Sequence, residues 1–489
     1  MPATDSPAVL VARFLNANNY DETLDAFIKE AGLPQDAGTQ QPGDLTIEKV
    51  LQEKKVFDLS VNFEKVGLDS SNDKWTVKAP SIPIALTTLP TSSNLLYVSL
   101  EDIRLSGNAL AQYILATSAD RRLSMIKPQL GDFSLVNTSN QIHDSPILFC
   151  VVVRNRWLIS TSMSGQVALF DCLTQTVLET RRDHSKYVVK ATTWEDEHGA
   201  WVLTAGWDSK VFLYRMKWSA PHSNNDHDNS INDSNPPVSL GAPVAFTSLQ
   251  SNPEHVQFIH HHDSPDPILL VSRRDSTFLY YYAIPSEGMT AEPAELVLLG
   301  KQNLAPHSNA WVAFTPSSVA VCPTDSALVA VGTSSVPHMK LIIARLLLPQ
   351  FPEASTAATD ADQPAQYQSH AAQAMAELAV QEREDAAILT HVSTLAPQTP
   401  YSTPQVCWRP DGSGVWVNGD DGVIRGVEAK TGKIVSTLKS GHEPGTKVRS
   451  IWAGWVDVNG QKEEWLMSGG FDRKLVVWRS SEAVDNGSS

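Results

Sequence analysis

Four histidines and a neighbouring acid form the densest group of potential metal ligands in this 489-residue chain: His255, His260, His261, His262 and Asp263. Side chains alternate along a strand, so His260 and His262 share one face. A zinc site needs a third and a fourth ligand and partners that orient them, and the adjoining sequence offers neither. The group therefore predicts solvated histidines at a strand end. We expect no metal site and no cofactor.

Acids and nucleophiles that catalysis might use lack suitable surroundings. Carboxylates are adjacent at Asp420 and Asp421, at 195–197 and at 382–385, but no apolar run flanks them in the way that raises a carboxyl pKa. The sequence has no G-x-S-x-G elbow and no C-x-x-C pair. Its glycine-rich segments fall at predicted hairpin turns, which argues against a phosphate cradle. No catalytic residues and no enzymatic activity are expected.

Composition narrows the class of partner. The 38 Lys+Arg against 54 Asp+Glu give a formal net charge of −16. A nucleic-acid binder needs a cationic stripe, and anionic membranes attract basic surfaces, so we expect neither nucleic acid nor a membrane as a partner of this acidic chain. No segment reaches the roughly 18 uninterrupted apolar residues of a membrane helix, and the N-terminal residues lack a cationic lead before an apolar run. We expect a soluble cytoplasmic or nuclear protein whose partners are proteins.

The N-terminal segment predicts two short helices. Apolar residues recur at helical spacing from Leu10 to Leu15, Asp21 begins a second helix, and Gly32 ends it. Two helices of about ten residues cannot bury their apolar faces alone. Another surface must therefore cover the large apolar side chains, which are Leu10, Phe14, Leu15, Tyr20, Leu24 and Phe27.

The segment RFLNANNYDETLDAFIKEAGL resembles a lissencephaly-homology (LisH) motif, in which a polar turn ending in Tyr precedes T-Φ-x-x-F-x-x-E, Φ being apolar. The matching positions are held by Tyr20, Thr23, Leu24, Phe27 and Glu30. Asn18 stands where the family often has Gly, and Asn tolerates a left-handed turn. The resemblance implies a homodimerising module over residues 5–34. The alternative is a helical hairpin packed on the chain's own body.

Strand-like segments begin near residue 76 and repeat about seven times. Each copy has an apolar strand, a polar turn and a second strand, as in WVLTAGWDSKVFLYR and WLMSGGFDRKLVVWR, with a further strand before it. The turn position is held by Asp120, Asp208, Asp275, Asp421 and Asp472. An Asp carboxylate closes such turns by accepting hydrogen bonds. The copy spacing suits a blade of four strands, about 40–45 residues.

These copies resemble WD-repeat propellers. A His precedes the first strand at His184 and His442, and an aromatic residue ends the third strand at Tyr214 and Trp478. No copy ends its third strand with the full Trp-Asp pair, and Ser335 replaces the turn Asp in the fifth. The resemblance implies a mainly β fold, a seven-bladed β-propeller over residues 76–480. The last copy lacks an outer strand, which we expect from 95–100 or 75–80.

Four segments fall outside these modules. Residues 35–75 predict a polar linker and a helix that either extends the dimer or docks on the propeller. Residues 218–243 predict a disordered loop, and 481–489 a disordered tail. The insert at 349–404 is polar and partly helical. Its helix, 364–392, either binds a partner or packs on the propeller, and its narrow apolar face holds Met375, Leu378, Ala379, Ala386 and Leu389.

The combination of modules implies a non-catalytic, dimeric scaffold that assembles a multiprotein complex. An alternative is a substrate receptor or core subunit of a ubiquitin ligase. A weaker one is a small ligand or reaction in the propeller channel. Exposed Trp and Arg make binding hot spots, so we expect the partner-facing residues on the loops at one rim. The candidates are Trp194, Trp207, Arg273, Arg274, Trp408 and Trp455.

Overall fold

The structure is a computed structural model. It describes residues 7–40, 46–49, 51, 75, 77–105, 109–129, 133–218, 238–260, 267–285, 293–306, 314–349, 370–458 and 460–480. Most of the expected linker helix, residues 219–237 of the 218–243 loop, the 481–489 tail and the side chain of Met375 lie outside these residues. The predicted disorder was wrong at both ends of that loop, because Trp218 and Leu240 are buried and a strand begins at Pro243. The chain divides into two compact units, Met1–Asn72 and Asp73–Ser489. No helix in the described ranges has the length and hydropathy to span a membrane.

The described part of the first unit includes the helices α1 (Pro7–Ala17) and α2 (Asp21–Ala31). Proline suits the first turn of a helix because that position needs no N–H donor. Gly32 ends α2 in the left-handed conformation, with φ 63°, and its N–H donates to the Ile28 carbonyl. The left-handed residue of the connecting turn is Asn19, with φ 57°. Asn18 instead donates its side-chain amide to the Phe14 carbonyl at 2.9 Å.

The second unit is a ring of seven antiparallel sheets, numbered here as blades 1 to 7. Blade 1 comprises β2 (Leu95–Arg104), β3 (Leu110–Ser118), β4 (Leu123–Ile126) and β5 (Leu135–Ser139). Blade 2 comprises β6 (Ile147–Val153), β7 (Trp157–Ser162), β8 (Val167–Asp171) and β9 (Thr176–Arg181). Blade 3 comprises β10 (Val188–Glu195), β11 (Gly199–Gly206), β12 (Lys210–Lys217), β13 (Pro243–Ser248) and the parallel edge strand β17 (Ala294–Glu295). The predicted seven-bladed fold is confirmed.

The remaining blades follow the same plan. Blade 4 comprises β14 (Pro253–Ile259), β15 (Ile268–Arg273), β16 (Phe278–Tyr282) and β18 (Leu298–Asn303). Blade 5 comprises β19 (Thr315–Cys322), β20 (Asp325–Ser334), β21 (His338–Arg345) and β22 (Ile388–Pro397). Blade 6 comprises β23 (Val406–Trp408), β24 (Gly414–Val417), β25 (Ile424–Glu428) and β26 (Ile434–Leu438). Blade 7 comprises β27 (Val448–Val458), β28 (Gln461–Gly470), β29 (Leu475–Arg479) and β1 (Ile82–Leu86).

The hydrophobic core lies between adjacent blades. In one cluster, Leu203 and Leu213 of blade 3 pack with Val256 and Leu269 of blade 4. The second and third strands of a blade are covered on both faces, so they are continuous apolar runs. The fourth strands lie at the periphery, and β9 is largely exposed.

The ring closes through β1, which pairs with β29 from Ile82↔Arg479 to Leu86↔Leu475. The prediction that residues 95–100 or 75–80 supply the closing strand was wrong. Residues 95–100 belong to β2, the inner strand of blade 1, and 75–80 precede β1. Inner and outer strands carry similar local patterns, so the sequence does not distinguish them. Pairing β1 with β29 covers an edge that is otherwise open to other chains.

Trp75, the last residue of the expected linker, packs within the propeller. Its ring meets that of Trp416 edge-on at 5.0 Å. A β-carbon on Gly414 or Gly426 collides with the Trp75 indole, so these two strand positions must be glycine. The Arg409 guanidinium lies 4.5 Å from the same ring. The indole thus fills a groove on blade 6.

The long insert supplies both a helix and the outer strand of blade 5. Helix α3 (His370–Ala387) leads directly into β22, so the second half of the predicted insert is partly strand. Buried Glu384 accepts a hydrogen bond from the Asn303 N–H at 2.7 Å, which anchors the end of α3 on blade 4. Leu378 is 52% exposed. The helix therefore docks through its C-terminal turn and not through the predicted apolar face.

Candidate functional site at the mouth of the propeller channel

The strand pairing defines two faces of the propeller. In blade 3, Val188 pairs with Gly206, and the Trp207 N–H beyond it donates to the Tyr187 carbonyl at 2.9 Å. The loops entering the inner strands and the turns between second and third strands therefore share one face, here called the turn face. The turns between first and second strands lie on the opposite face, here called the far face.

The six predicted rim residues do not lie on one rim, so this prediction was wrong. The turn face holds Trp207, Arg273 and Arg274, whereas Trp194, Trp408 and Trp455 lie toward the far face, near the ends of their inner strands. Consecutive strands end on opposite faces, and the prediction ignored this alternation.

The far-face tryptophans differ in burial. Trp408 is buried and donates its indole N–H to the Ala320 carbonyl at 2.8 Å. Trp455 is 41% exposed. Trp408 therefore joins blade 6 to blade 5, and Trp455 remains available to a partner.

Two turn aspartates each accept a hydrogen bond from a buried histidine. His442 Nδ1 donates to Asp472 at 3.0 Å, and its Nε2 lies 2.8 Å from Ser468 Oγ, which also accepts from the Trp478 indole at 2.9 Å. His184 bridges Asp208 and Thr204 in the same way in blade 3. These chains fasten each entering loop to its own blade.

The other turns vary this arrangement. Asp120 pairs with Arg122 at 2.9 Å, Asp421 pairs with Arg425 at 2.6 Å, and Asp275 adopts φ 57°. In blade 2, where Ser replaces the turn Asp, His143 Nε2 lies 2.8 Å from Ser160 Oγ. The sequence analysis named a histidine before the first strand only at His184 and His442, and it missed this third one.

The turn aspartates make the folding stability of the propeller depend on pH in the acidic range. Burial acts to raise the pKa of Asp472, but hydrogen bonds from His442 and two backbone N–H groups outweigh it and lower the pKa. A lowered folded-state pKa contributes stability above the unfolded value of about 3.9, and this stability is lost as pH falls through the folded value. We expect Asp472→Asn to cost about 1–3 kcal/mol at neutral pH and to flatten the acid limb below about pH 4.

Denaturant unfolding at pH values between about 2 and 7 measures this effect. The slope of the unfolding free energy against pH should fall by the equivalent of about one proton in the variant. Asp102→Asn is the matched control, because Asp102 is an exposed carboxylate of the same propeller. An acid limb as steep in Asp472→Asn as in the wild type contradicts the assignment.

The histidines considered as metal ligands in the sequence lie in different surroundings. His255 is buried, lies 3.2 Å from Gln257 Oε1 and accepts from the Val319 N–H at 3.4 Å. Burial and the charge of Lys190 lower the His255 pKa to about 3, so the ring is neutral. His260 is exposed, and residues 261–263 lie outside the described residues. Within the described ranges, no three His, Cys, Asp or Glu residues converge in a way that could hold a metal.

Six inner strands share a β-bulge near their start, at the second residue in five of them and at the third in β19. A bulge sets two residues against one and re-aims a side chain. The extra residues are Leu96, Leu148, Val189, Glu254, Ser317 and Arg449, and all six line one cavity on the turn face.

This cavity, about 230 Å³ in volume, is the mouth of the central channel, because residues near the start of six inner strands line it together with residues 403–405, which lead into the seventh, β23. Two cations reach it. The Lys190 ammonium lies 4.2 Å from the Phe149 ring centre, and burial lowers its pKa to about 8. Burial also lowers the pKa of Arg449, while the charge of Glu254 opposes this change.

The carboxylate at the mouth already has a partner. Glu254 accepts from Arg274 Nε at 2.8 Å, and Arg274 stacks on the Trp207 ring at 4.9 Å. Burial raises the pKa of Glu254, although Arg274 and Arg449 act in the opposite direction. Among the described residues, no carboxylate lies within ion-pair distance of Lys190 or Arg449. The mouth therefore carries more positive than negative charge.

The two modules are recognised by family models. The model of the β-propeller domain of UCP007778 matches residues 103–479, and the model of its LisH domain matches residues 8–36. The chain belongs to the UCP007778 family. The predicted combination of a LisH module with a propeller is thereby confirmed. No curated protein matches the chain.

The mouth of this UCP007778 propeller was missed by the sequence analysis. Lys190 and Arg449 were assigned only to strand-like runs, VVKATTW and KVRSIWAGW. A signal was present, because a cation inside an otherwise apolar inner strand needs an environment that solvates its charge. The UCP007778 propeller match begins within β2 and so excludes the closing strand β1.

Proposed function

We propose that the protein is a non-catalytic, dimeric scaffold that assembles a multiprotein complex in the cytoplasm or nucleus. The LisH helices join two chains, and each propeller offers its faces to protein partners. A closed propeller domain fits such a role, since a rigid ring presents loops from seven blades. The observation that carries the proposal is the joining of this ring to a helical module with unfilled apolar faces.

The helical faces support dimerisation. Tyr20 is 53% exposed, and the other five predicted dimer residues, Leu10, Phe14, Leu15, Leu24 and Phe27, are only half-buried. Burying this surface against a second copy removes apolar area from water, at about 25 cal/mol per Å². Two linked propellers then bind a partner with two sites more tightly than one propeller does.

The buried thiols support a non-catalytic role. Burial raises the pKa of Cys172 to about 12 and also raises the pKa values of Cys150 and Cys407. A thiol must ionise to act as a nucleophile, so these three cysteines remain protonated and unreactive near neutral pH.

Light scattering on the wild type and Phe27→Asp tests the dimer. We expect the wild type to have twice the mass of one chain and Phe27→Asp to be monomeric, because a carboxylate in the apolar interface is left unpaired. Ala26→Asp is the matched control, since Ala26 is an exposed residue of the same helix. A monomeric wild type overturns the proposal.

Affinity purification with mass spectrometry tests the scaffold. We expect a reproducible set of proteins that co-purify with the wild type and are depleted with Phe27→Asp. Ubiquitin-ligase subunits in that set favour the ligase alternative. A wild-type sample without specific partners contradicts the scaffold.

A further inference from the structure

We propose that the mouth of the propeller channel binds an acidic side chain, carboxylate or phosphate, on an extended segment of a partner protein. This inference rests on the scaffold function proposed above and names the partner chemistry at one site. It is carried by the cavity, by the bulges that shape it and by the charges that line it.

The frame of the site is rigid. Six blades contribute a bulge residue near the start of an inner strand to the cavity wall, and blade 6 contributes residues 403–405, which lead into β23. The flanking strands are hydrogen-bonded within their blades, so the lining side chains are held in place before a ligand arrives. Preorganised groups lose little freedom on binding, which favours recognition of a small feature.

The charges at the mouth favour an anion. No carboxylate of the described residues lies within ion-pair distance of Lys190 or Arg449, and Glu254, whose charge acts on Arg449, is already paired with Arg274. A cation held away from bulk water gains more from a counter-charge than an exposed one does. Arg449 offers the forked guanidinium that pairs with carboxylate or phosphate oxygens, and Lys190 adds a point charge.

Four other turn-face acids are engaged by groups outside the mouth and do not compete for these cations. Asp208 and Asp472 accept from histidines, and Asp421 pairs with Arg425. Asp420 lies 3.4 Å from Lys447. The positive character of the mouth therefore persists in a chain whose formal net charge is −16.

The size and walls of the cavity favour a side chain over a free metabolite. Its volume of about 230 Å³ is smaller than the roughly 300–1,000 Å³ of small-molecule pockets. Aromatic rings of Tyr97, Phe149, Tyr187 and Trp207 line it and can pack on the aliphatic stem of a side chain. The cations are then placed to contact the charged end.

Peptide pools with one fixed central residue and random flanks test the inference by fluorescence polarisation on the full chain. The fixed residue is glutamate, phosphoserine, glutamine or lysine. We expect the glutamate or the phosphoserine pool to bind more tightly than the other two, and their order identifies the preferred anion.

Substitution of the cations localises the binding. We expect Lys190→Gln and Arg449→Gln each to weaken the preferred acidic pool about tenfold or more. Lys186→Gln is the matched control, because Lys186 is an exposed cation of the same face, and it should leave affinity unchanged. Thermal unfolding checks each variant, and Lys190→Gln alone suffices if Arg449→Gln does not fold.

Two results overturn the inference: acidic pools that bind no better than the glutamine pool, or an acidic preference that survives Lys190→Gln. Either result leaves the scaffold standing if the wild type still dimerises and captures partners. If the wild type captures no partner proteins but still binds acidic peptides, the result contradicts the scaffold function and leaves this inference standing.

Discussion

Replacing Arg409 by methionine is expected to lower the free energy of unfolding by about 3–5 kcal/mol. The Arg409 side chain is fully buried, and its Nη2 and Nε donate to the Glu464 carboxylate at 2.6 and 3.0 Å. Arg409 follows the inner strand of blade 6, and Glu464 lies in blade 7. The substitution leaves the Glu464 carboxylate buried without its partner, which is the source of the cost.

Urea unfolding of a double-mutant cycle tests this account. The double variant Arg409→Met with Glu464→Leu should lose less stability than Arg409→Met alone, because it removes the buried carboxylate that the single variant leaves unpaired. Asp411, which also lies 3.5 Å from Arg409, loses its cation equally in both variants. Arg345→Met is the matched control, since its ion pair with Asp325 is exposed and is worth about 1 kcal/mol or less. Equal losses in the single and double variants contradict the explanation.

Removing residues 1–86 is expected to prevent the propeller from forming a stable monomer. The truncation deletes β1, which supplies the fourth strand of blade 7 and the buried side chain of Leu86. The cost should approach the total stability of a typical domain, about 5–15 kcal/mol, because an open ring also loses packing between blades 7 and 1. The exposed edge of β29 then invites aggregation.

Size-exclusion chromatography and thermal unfolding measure this loss. A chain that begins at Asp73 is the control, because it retains both Trp75 and β1 and should fold as a monomeric propeller. A synthetic peptide of residues 81–90 should partly restore the truncated chain. Cooperative unfolding of the truncated chain at the control's midpoint contradicts the prediction.

The repeat pattern predicted the blades well where strands are adjacent in sequence. The segment WVLTAGWDSKVFLYR corresponds to β11, its turn and β12, and the last copy corresponds to β28 and β29 in the same way. The prediction of outer strands failed where the two paired strands are far apart in the sequence. The outer strand of blade 5 follows α3, and the outer strand of blade 7 precedes blade 1, so local pattern gave no information on either partner.

The candidate site was predicted only in part. The turn aspartates were found because a tight turn restricts residue type. The six rim residues were predicted to share one face, although they lie on two, because the prediction ignored that consecutive strands end on opposite faces. Lys190 and Arg449 lie next to or at a bulge, and the strand pattern does not reveal the change of register that turns them toward the mouth. The cation within each apolar run was the one available signal, and it was not used.

The six bulges separate the chemistry of the channel mouth from the stability of the ring. An extra residue in a bulge makes no ladder pairing, and Leu96, Leu148 and Val189 lie outside the clusters between blades. Substitutions at these positions therefore change what the mouth presents at little cost to folding. The propeller thus carries a set of positions through which evolution, or protein engineering, can replace one binding preference by another on an unchanged fold.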